Sequence, residues 1–261
     1  MGEDHWLNLF RAWSTLAKPV TVSGDVIDAI KAEISSIAGR MLLLGTTRGL
    51  LNAGPDLVAI DRSPGVVGDL SQIELASRLV VGDWLSLPFP AASFAACIGD
   101  GSLISFDFPS SLHDVLHEIA RCLKPGGKLV CRTFMSPERP DTLTDVVSEV
   151  GQRKLTFQHF KFKFAMALAA KHGVPNIAVA SIPDSFDEEF PDRDALAGLT
   201  GWDRAEIETI EIYRSSRSNY CFPSRSQLRS VLPKAFKRAR FVSVPNHPFG
   251  DEWPVAVFEV R

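Results

Sequence analysis

The chain has no run of 18 apolar residues, no paired cysteines and no surplus of positive charge, and each absence removes a class of protein. Without such an apolar run no transmembrane helix is expected. Glu3 and Asp4 stand where a secretory leader would carry its basic start, so no leader is expected either. The four cysteines, Cys97, Cys122, Cys131 and Cys221, make no CxxC pair and no zinc spacing. Thiols in strands and helices behave as small hydrophobes, which points to a reducing, cytoplasmic setting and to no metal. A net charge of −3 lacks the electrostatic footprint of a nucleic-acid binder. Gly45-Thr46-Thr47-Arg48-Gly49 does not make GxGxxG, and no GxxxxGK[ST] phosphate loop occurs anywhere.

What is present is a series of short apolar runs that end in small or acidic residues. They are 41–45, 57–61, 79–84 and 94–101, closing on Gly45, Asp61, Asp83-Trp84 and Asp100-Gly101. A fifth run, 127–131, follows the turn Lys124-Pro125-Gly126-Gly127. Continuous aliphatic runs of this length read as strands buried on both faces of a parallel sheet. In such sheets ligands bind beyond the carboxyl ends of the strands, where these Gly and Asp residues fall.

Helical patterns precede and separate the runs. Trp6, Leu9, Phe10, Trp13 and Leu16 make one amphipathic stripe, and Val26, Ile27, Ile30, Ile34 and Ile37 make a second behind the cap Ser23-Gly24-Asp25. The clearest helix starts at Ser110-Ser111 with Leu112, Val115, Leu116, Ile119 and Leu123 inward, and Pro125-Gly126-Gly127 is expected to end it. Alternating strand and helix over residues 39–135 predicts an α/β, doubly wound core. A length of 261 residues suits a single domain, with helices over 1–38, the core over 39–135, a helical insert over 136–225 and a helix and strand pair over 226–261. Within the insert, Phe157, Phe160, Phe164 and Leu168 predict a helix, although Phe160 to Phe164 also alternates at period two. The Pro-, Gly- and Asp-rich piece from Pro183 to Gly201 reads as a loop.

The string Val81-Gly82-Asp83-Trp84-Leu85-Ser86-Leu87-Pro88-Phe89-Pro90, then Ser93-Phe94, then Leu123-Lys124-Pro125-Gly126-Gly127, resembles the class I S-adenosylmethionine-dependent methyltransferases. The resemblance covers residues about 40–135. It implies a mostly parallel seven-stranded sheet whose last two strands are antiparallel, with S-adenosylmethionine as cofactor. By position, Gly45 would let the backbone approach the cofactor, Asp61 with Arg62 beside it would hold the ribose, and Asp83 would accept from the adenine amine. Trp84 would lie against the adenine, and Asp100-Gly101 would flank the methionine end and the acceptor. The first loop departs from the family: Leu43 stands at its acidic position and Thr47 at its middle glycine. Thr46 and Thr47 hydroxyls and Arg48 are the groups that would meet the methionine carboxylate instead.

The resemblance implies methyl transfer to a small-molecule acceptor, with nucleic acid and membrane not expected as partners. Asp100 and His113 are the candidates for a catalytic base. His113 and His117 lie at i, i+4 on the polar side of their helix, but no third ligand completes a zinc site. The stretch from Tyr213 to Gly250 has no acidic residue and carries eight Lys and Arg, which reads either as balancing surface or as preference for an anionic acceptor. Trp6, Trp13, Phe157, Phe160 and Phe164 are expected to wall and roof the acceptor cleft. The competing readings are a non-catalytic binding module that has lost cofactor affinity through its altered loop, and an RNA methyltransferase.

Overall fold

The computed structural model describes residues 20–70, 78–152, 155–245, 247 and 249–261, together with 8, 9, 12 and 16. In chain order the elements are α1 (Gly24–Ile34), β1 (Met41–Leu44), β2 (Leu57–Asp61), α2 (Pro64–Leu70), β3 (Leu79–Val81), β4 (Phe94–Asp100), α3 (Ser110–Cys122) and β5 (Leu123–Arg132). There follow α4 (Leu143–Ser148), α5 (Phe157–Lys171), β6 (Asn176–Ala178), α6 (Ile182–Glu189), α7 (Arg193–Thr200), α8 (Arg204–Glu208) and β7 (Asn219–Cys221). The last elements are α9 (Arg225–Ser230), β8 (Phe236–Val242) and β9 (Val255–Val260). The chain divides into two compact units, Val22–Met135 with Arg225–Arg261, and Met1–Thr21 with Ser136–Ser224.

The first unit is built on a seven-stranded sheet in the order β3-β2-β1-β4-β5-β9-β8. Strands β1 to β5 run parallel, and β9 is antiparallel to both β5 and β8. Every residue of β1 is buried, as are the first four of β2, which is why neither strand alternates polar with apolar. Against them packs α1, whose Val26, Ile30 and Ile34 join Met41, Leu43, Leu57 and Ile98 in one core. Its start is set locally: the Ser23 hydroxyl accepts from the Val26 amide, and Asp25 lies in the first turn.

The expected end of α3 at Pro125-Gly126-Gly127 needs correction. The helix stops at Cys122, Leu123 is already extended, and Leu123 pairs with Phe94 before the register shifts to Ala96–Lys128. Pro125 disfavours helical backbone at the residue before it, so the helix must close earlier. The turn then bulges, with Gly126 at φ +75°, and a Cβ on Gly127 would come 2.8 Å from the Lys124 carbonyl.

The second unit is mostly helical. Its α5 is buried on nearly all sides, and Phe160 to Phe164 are helical, so the period-two alternation carried no strand. Phe157 and Phe160 pack edge-on or tilted against Phe186 and Trp202 at 5.2–6.4 Å between centroids, and Phe164 packs against Phe186 and Phe190. These three phenylalanines, at most 3% exposed, are the core of their own unit. Trp6, Phe10 and Trp13 lie outside the described residues, and Leu9 and Leu16 of the same stripe are buried.

The expected loop over 183–201 is instead two helices. Pro183 sits in the first turn of α6, where its missing N–H costs nothing. Asp192 caps α7 by accepting from the amides of Asp194 and Ala195, and Gly201 closes it at φ +73°. Pro, Asp and Gly thus mark where short helices start and stop. Arg193 pairs with Asp187, Glu208 and Glu211, and Arg214 with Asp184, Asp187 and Glu211, tying α6, α7 and α8 together. A small antiparallel pair, β6 with β7, completes the unit.

Candidate functional site

The strand order reverses direction between β1 and β4, so the chain leaving β1 and the chain leaving β4 diverge on opposite faces of the sheet. That divergence opens a crevice at the carboxyl ends of the strands. Leu44 is registered with Ile60 on one side and Gly99 on the other, which sets Gly45 between Asp61 and Asp100.

Gly45 adopts φ +88°, a conformation that side chains rarely tolerate, and its amide donates to the Ile60 carbonyl at 2.8 Å. A Cβ at this position would stand 3.8 Å from the Trp84 ring and 3.9 Å from Asp61 Oδ2. One carboxylate, one indole and a bare backbone therefore meet at a single point. Asp61 Oδ1 accepts from the Ser63 amide at 2.9 Å, which orients the carboxylate as the chain turns toward α2. Trp84 Nε1 donates to the Ile60 carbonyl at 3.0 Å, so the indole is anchored on β2 as well as packed 6.0 Å from the Phe106 ring.

The loop that carries Asp83 and Trp84 is held from below. Glu118 on α3 accepts from the Leu87 amide at 2.8 Å, and Arg121 one turn on donates to the carbonyls of Phe89 and Leu87. Hydrogen bonds from Arg121, above all, keep the Glu118 carboxyl below the usual carboxylate range. The Leu-Ser-Leu-Pro-Phe string is thus a strap clamped onto a helix. Asp83 is exposed, and its Oδ1 accepts from the Leu85 amide at 2.9 Å. Gly82 is required for packing, since a Cβ there would reach 2.8 Å from Ile60 Cδ1.

After β1, Thr46 and Thr47 are half-buried and Arg48 and Arg62 are exposed. Thr47 precedes the single turn Arg48–Leu50 without capping it through its hydroxyl. Gly49 lies against α1: a Cβ there would overlap Ile27 Cδ1 at 2.2 Å. The second glycine of this loop therefore serves helix packing.

Asp100 is not poised as a solvent-exchanging base. Its two oxygens accept from Arg132 Nε at 2.5 Å and Nη2 at 3.0 Å, across the registered pair Asp100–Arg132 of β4 and β5. Both side chains are buried, at 5% and 1% exposure. Burial pushes the Asp100 carboxyl up, against the pull of the Arg132 guanidinium, which also lies 4.7 Å over the Phe134 ring. Gly101 follows at φ +66°, where a Cβ would strike Phe134 at 2.7 Å. His113 sits on the exposed side of α3. Its Nδ1 donates to the Val231 carbonyl at 2.9 Å, which fixes that nitrogen as the protonated one. The structure thus gathers Gly45, Asp61, Trp84, Asp100 and Gly101 at the strand ends, and anchors His113 to the chain between α9 and β8.

Three residues of this region were not singled out from sequence. Arg132 ends the fifth strand and Phe134 lies just beyond it, and Ser102, buried, donates through Oγ to the Leu44 carbonyl at 3.0 Å, bridging the divergence point. An arginine ending an apolar run was the available signal for the first. Among the described residues no group of three or more His, Cys, Asp and Glu is placed to hold a metal ion.

The basic stretch from Tyr213 is paired in part. Arg214 is paired as above, Arg240 with Glu33 and Lys237 with Glu259, while Arg225 and Arg229 lie over the Phe241 ring.

Residues 44–131 match the methyltransferase domain family. Over 123 residues the chain is 32% identical to a demethylmenaquinone methyltransferase of Geobacillus sp. (strain WCH70), covering 47% of this chain and 46% of that protein. The chain thus spans about half the length of this curated relative. Among solved structures, one from Rhodobacter sphaeroides bearing a Zn-dependent alcohol dehydrogenase name superposes with a TM-score of 0.61 at 15% identity, over 99% of this chain and 98% of that one. A Thermotoga maritima S-adenosylmethionine-dependent methyltransferase, named a possible histamine N-methyltransferase, gives 0.52 at 12% identity, over 98% and 99%. Both likenesses establish the shared fold.

Proposed function

We propose, from the premise that residues 44–131 form a class I S-adenosylmethionine-dependent methyltransferase domain, that the protein transfers a methyl group to a small organic acceptor. The observation that carries this reading is the meeting of the Gly45 backbone, the Asp61 carboxylate and the Trp84 indole where the sheet order reverses. Those groups fit the cofactor: a carboxylate for the ribose diol, an aromatic face for the adenine, and a glycine whose missing side chain leaves room for close approach. Asp83, exposed at the loop edge, supplies an acceptor for the adenine amine.

When bound, S-adenosylmethionine supplies an electrophilic methyl group on a sulfonium. The chain's own contribution is positioning of the acceptor atom in line with it, which can supply a large share of the rate for a displacement at carbon. Asp100, held by Arg132, shapes the crevice wall and does not receive the acceptor's proton. Arg132 in turn is fixed by two hydrogen bonds to Asp100 and by the Phe134 ring, so this end of the crevice is rigid.

A small acceptor is supported by the Geobacillus relative, whose name gives a small-molecule substrate. It is further supported by the net charge of −3, which lacks the surplus of positive charge that RNA binding draws on. The test is calorimetric titration with S-adenosylmethionine and S-adenosylhomocysteine, then methyl transfer to quinols, phenols and amines at two salt concentrations. Binding of both cofactors with turnover of a neutral acceptor is the expected result. Absence of cofactor binding by the folded chain would leave a binding module on a methyltransferase fold.

A further inference from the structure

Where β1 and β4 part, one hydroxyl is set in place by the residues just before it. Gly99 lies inside β4, where a glycine weakens the strand and marks a close approach. A Cβ there would come 2.4 Å from Ser102 Oγ and 3.3 Å from Cys131 Sγ, so the bare backbone of Gly99 is what leaves room for the serine. Gly101, at φ +66°, turns the chain in the left-handed region and opens the single turn Ser102–Ser105. That turn brings Ser102 back to β1, buried at 7% exposure.

Ser102 Oγ donates to the Leu44 carbonyl at 3.0 Å. The N–H of the same peptide, on Gly45, donates to the Ile60 carbonyl at 2.8 Å, and Trp84 Nε1 donates to that carbonyl at 3.0 Å. One chain of hydrogen bonds therefore runs from the turn after β4, through the last peptide of β1 and the Ile60 carbonyl of β2, to the indole after β3. A peptide gripped at both its oxygen and its N–H cannot rotate without breaking one of the two bonds. Rotation of this peptide is what changes φ at Gly45. Glycine takes positive and negative φ about equally well, so its own preference does not select the observed φ of +88°. The two hydrogen bonds do.

We propose that Ser102 is a positioning residue for the cofactor: it fixes the Leu44–Gly45 peptide, and with it the backbone that Gly45 presents beside Asp61 and Trp84. The inference rests on the S-adenosylmethionine reading of that crevice. Ser102 acts through the peptide and not on the ligand. Without its hydroxyl the peptide is held on the β2 side alone, Gly45 samples other values of φ, and part of the binding free energy goes into ordering the loop.

Calorimetric titration of the full chain with S-adenosylhomocysteine tests it, alongside thermal unfolding. Ser102→Ala should weaken binding about tenfold, on the scale of one lost hydrogen bond. Gly99→Ala keeps the serine but drives its hydroxyl off the Leu44 carbonyl. It should weaken binding to a similar degree, and it serves if Ser102→Ala fails to fold. Ile34→Val, in the core that α1 makes against the sheet, is the comparison for a loss of stability alone. It should lower the melting temperature and leave the affinity unchanged. Unchanged affinity in folded Ser102→Ala or Gly99→Ala, with the unsubstituted chain binding, would overturn the role of Ser102 and leave the cofactor reading intact. Equal weakening by Ile34→Val would also overturn it, because the effect would then follow stability and not position. No binding by the folded, unsubstituted chain would overturn the cofactor reading and this inference with it.

Discussion

Replacing Asp100 by Asn separates the two roles open to this residue. The side chain keeps its shape but loses its charge, leaving the Arg132 guanidinium at 1% exposure without the carboxylate that accepts from Nε and Nη2. Removing one member of a buried, hydrogen-bonded ion pair costs about 3–5 kcal/mol, because the remaining charge stays desolvated. For a unit of this size each kcal/mol lowers the melting temperature by about 2–4 °C, so a drop of about 6–20 °C is expected by thermal unfolding followed by circular dichroism. Removing both charges with Asp100→Leu and Arg132→Met together should recover much of that loss, since an apolar pair of similar volume carries no desolvated charge. Were Asp100 a catalytic base, the Asn variant would keep its melting temperature and lose turnover alone. Unchanged unfolding with a hundredfold loss of turnover refutes the structural assignment.

Asp61→Ala should weaken S-adenosylmethionine binding by about 1.5–3 kcal/mol, the range for hydrogen bonds to a charged group, and titration calorimetry reads it directly. Unchanged affinity in a folded variant would reduce Asp61 to the turn residue that accepts from the Ser63 amide. Gly99→Ala would place a Cβ 2.4 Å from Ser102 Oγ and 3.3 Å from Cys131 Sγ, forcing Ser102 off the Leu44 carbonyl. A loss of about 1–3 kcal/mol in denaturant unfolding is expected from such overpacking, and a neutral result would show that Ser102 moves without cost. Lys161 carries a pH signature: its amine titrates near 7 when folded and at the ordinary lysine value when unfolded. Between about pH 7 and 10.5 the unfolded chain binds the extra proton, so stability rises with pH across that window, by up to about 1.4 kcal/mol per unit. Lys161→Met should abolish that slope, and an unchanged slope would assign it to another group.

Much of the sheet was legible because its strands are buried on both faces. Runs such as Met41–Leu44 and Leu57–Ile60 have no polar alternation to confuse with helix, and a Gly or Asp marks each carboxyl end. The cap at Ser23 and the apolar stripe of α3 were equally local signals. The insert was harder, because Pro183, Asp192 and Gly201 are as common at the ends of short helices as in loops, and only the helices' packing tells the two apart.

By itself the sequence determined the strand series and the positions of Gly45, Asp61, Asp83 and Trp84 at strand ends, which follow from burial period and turn chemistry acting over a few residues. The antiparallel pair that closes the sheet was implied only by the family resemblance. Tertiary structure alone decided which polar groups are spent on one another. Asp100 reads as a base until β4 and β5 align it with Arg132. His113 reads as a free side chain on a polar helix face until the Val231 carbonyl, 118 residues away, accepts from its Nδ1 and fixes the tautomer and the ring's orientation. Arg214 and Arg240 read as part of an anion surface until Asp184, Asp187, Glu211 and Glu33 are brought to them. Lys161 reads as one polar residue in an aromatic helix until folding buries it facing Glu206. Charge pairing and desolvation depend on distances between residues far apart in the chain, and those distances exist only once the chain has folded.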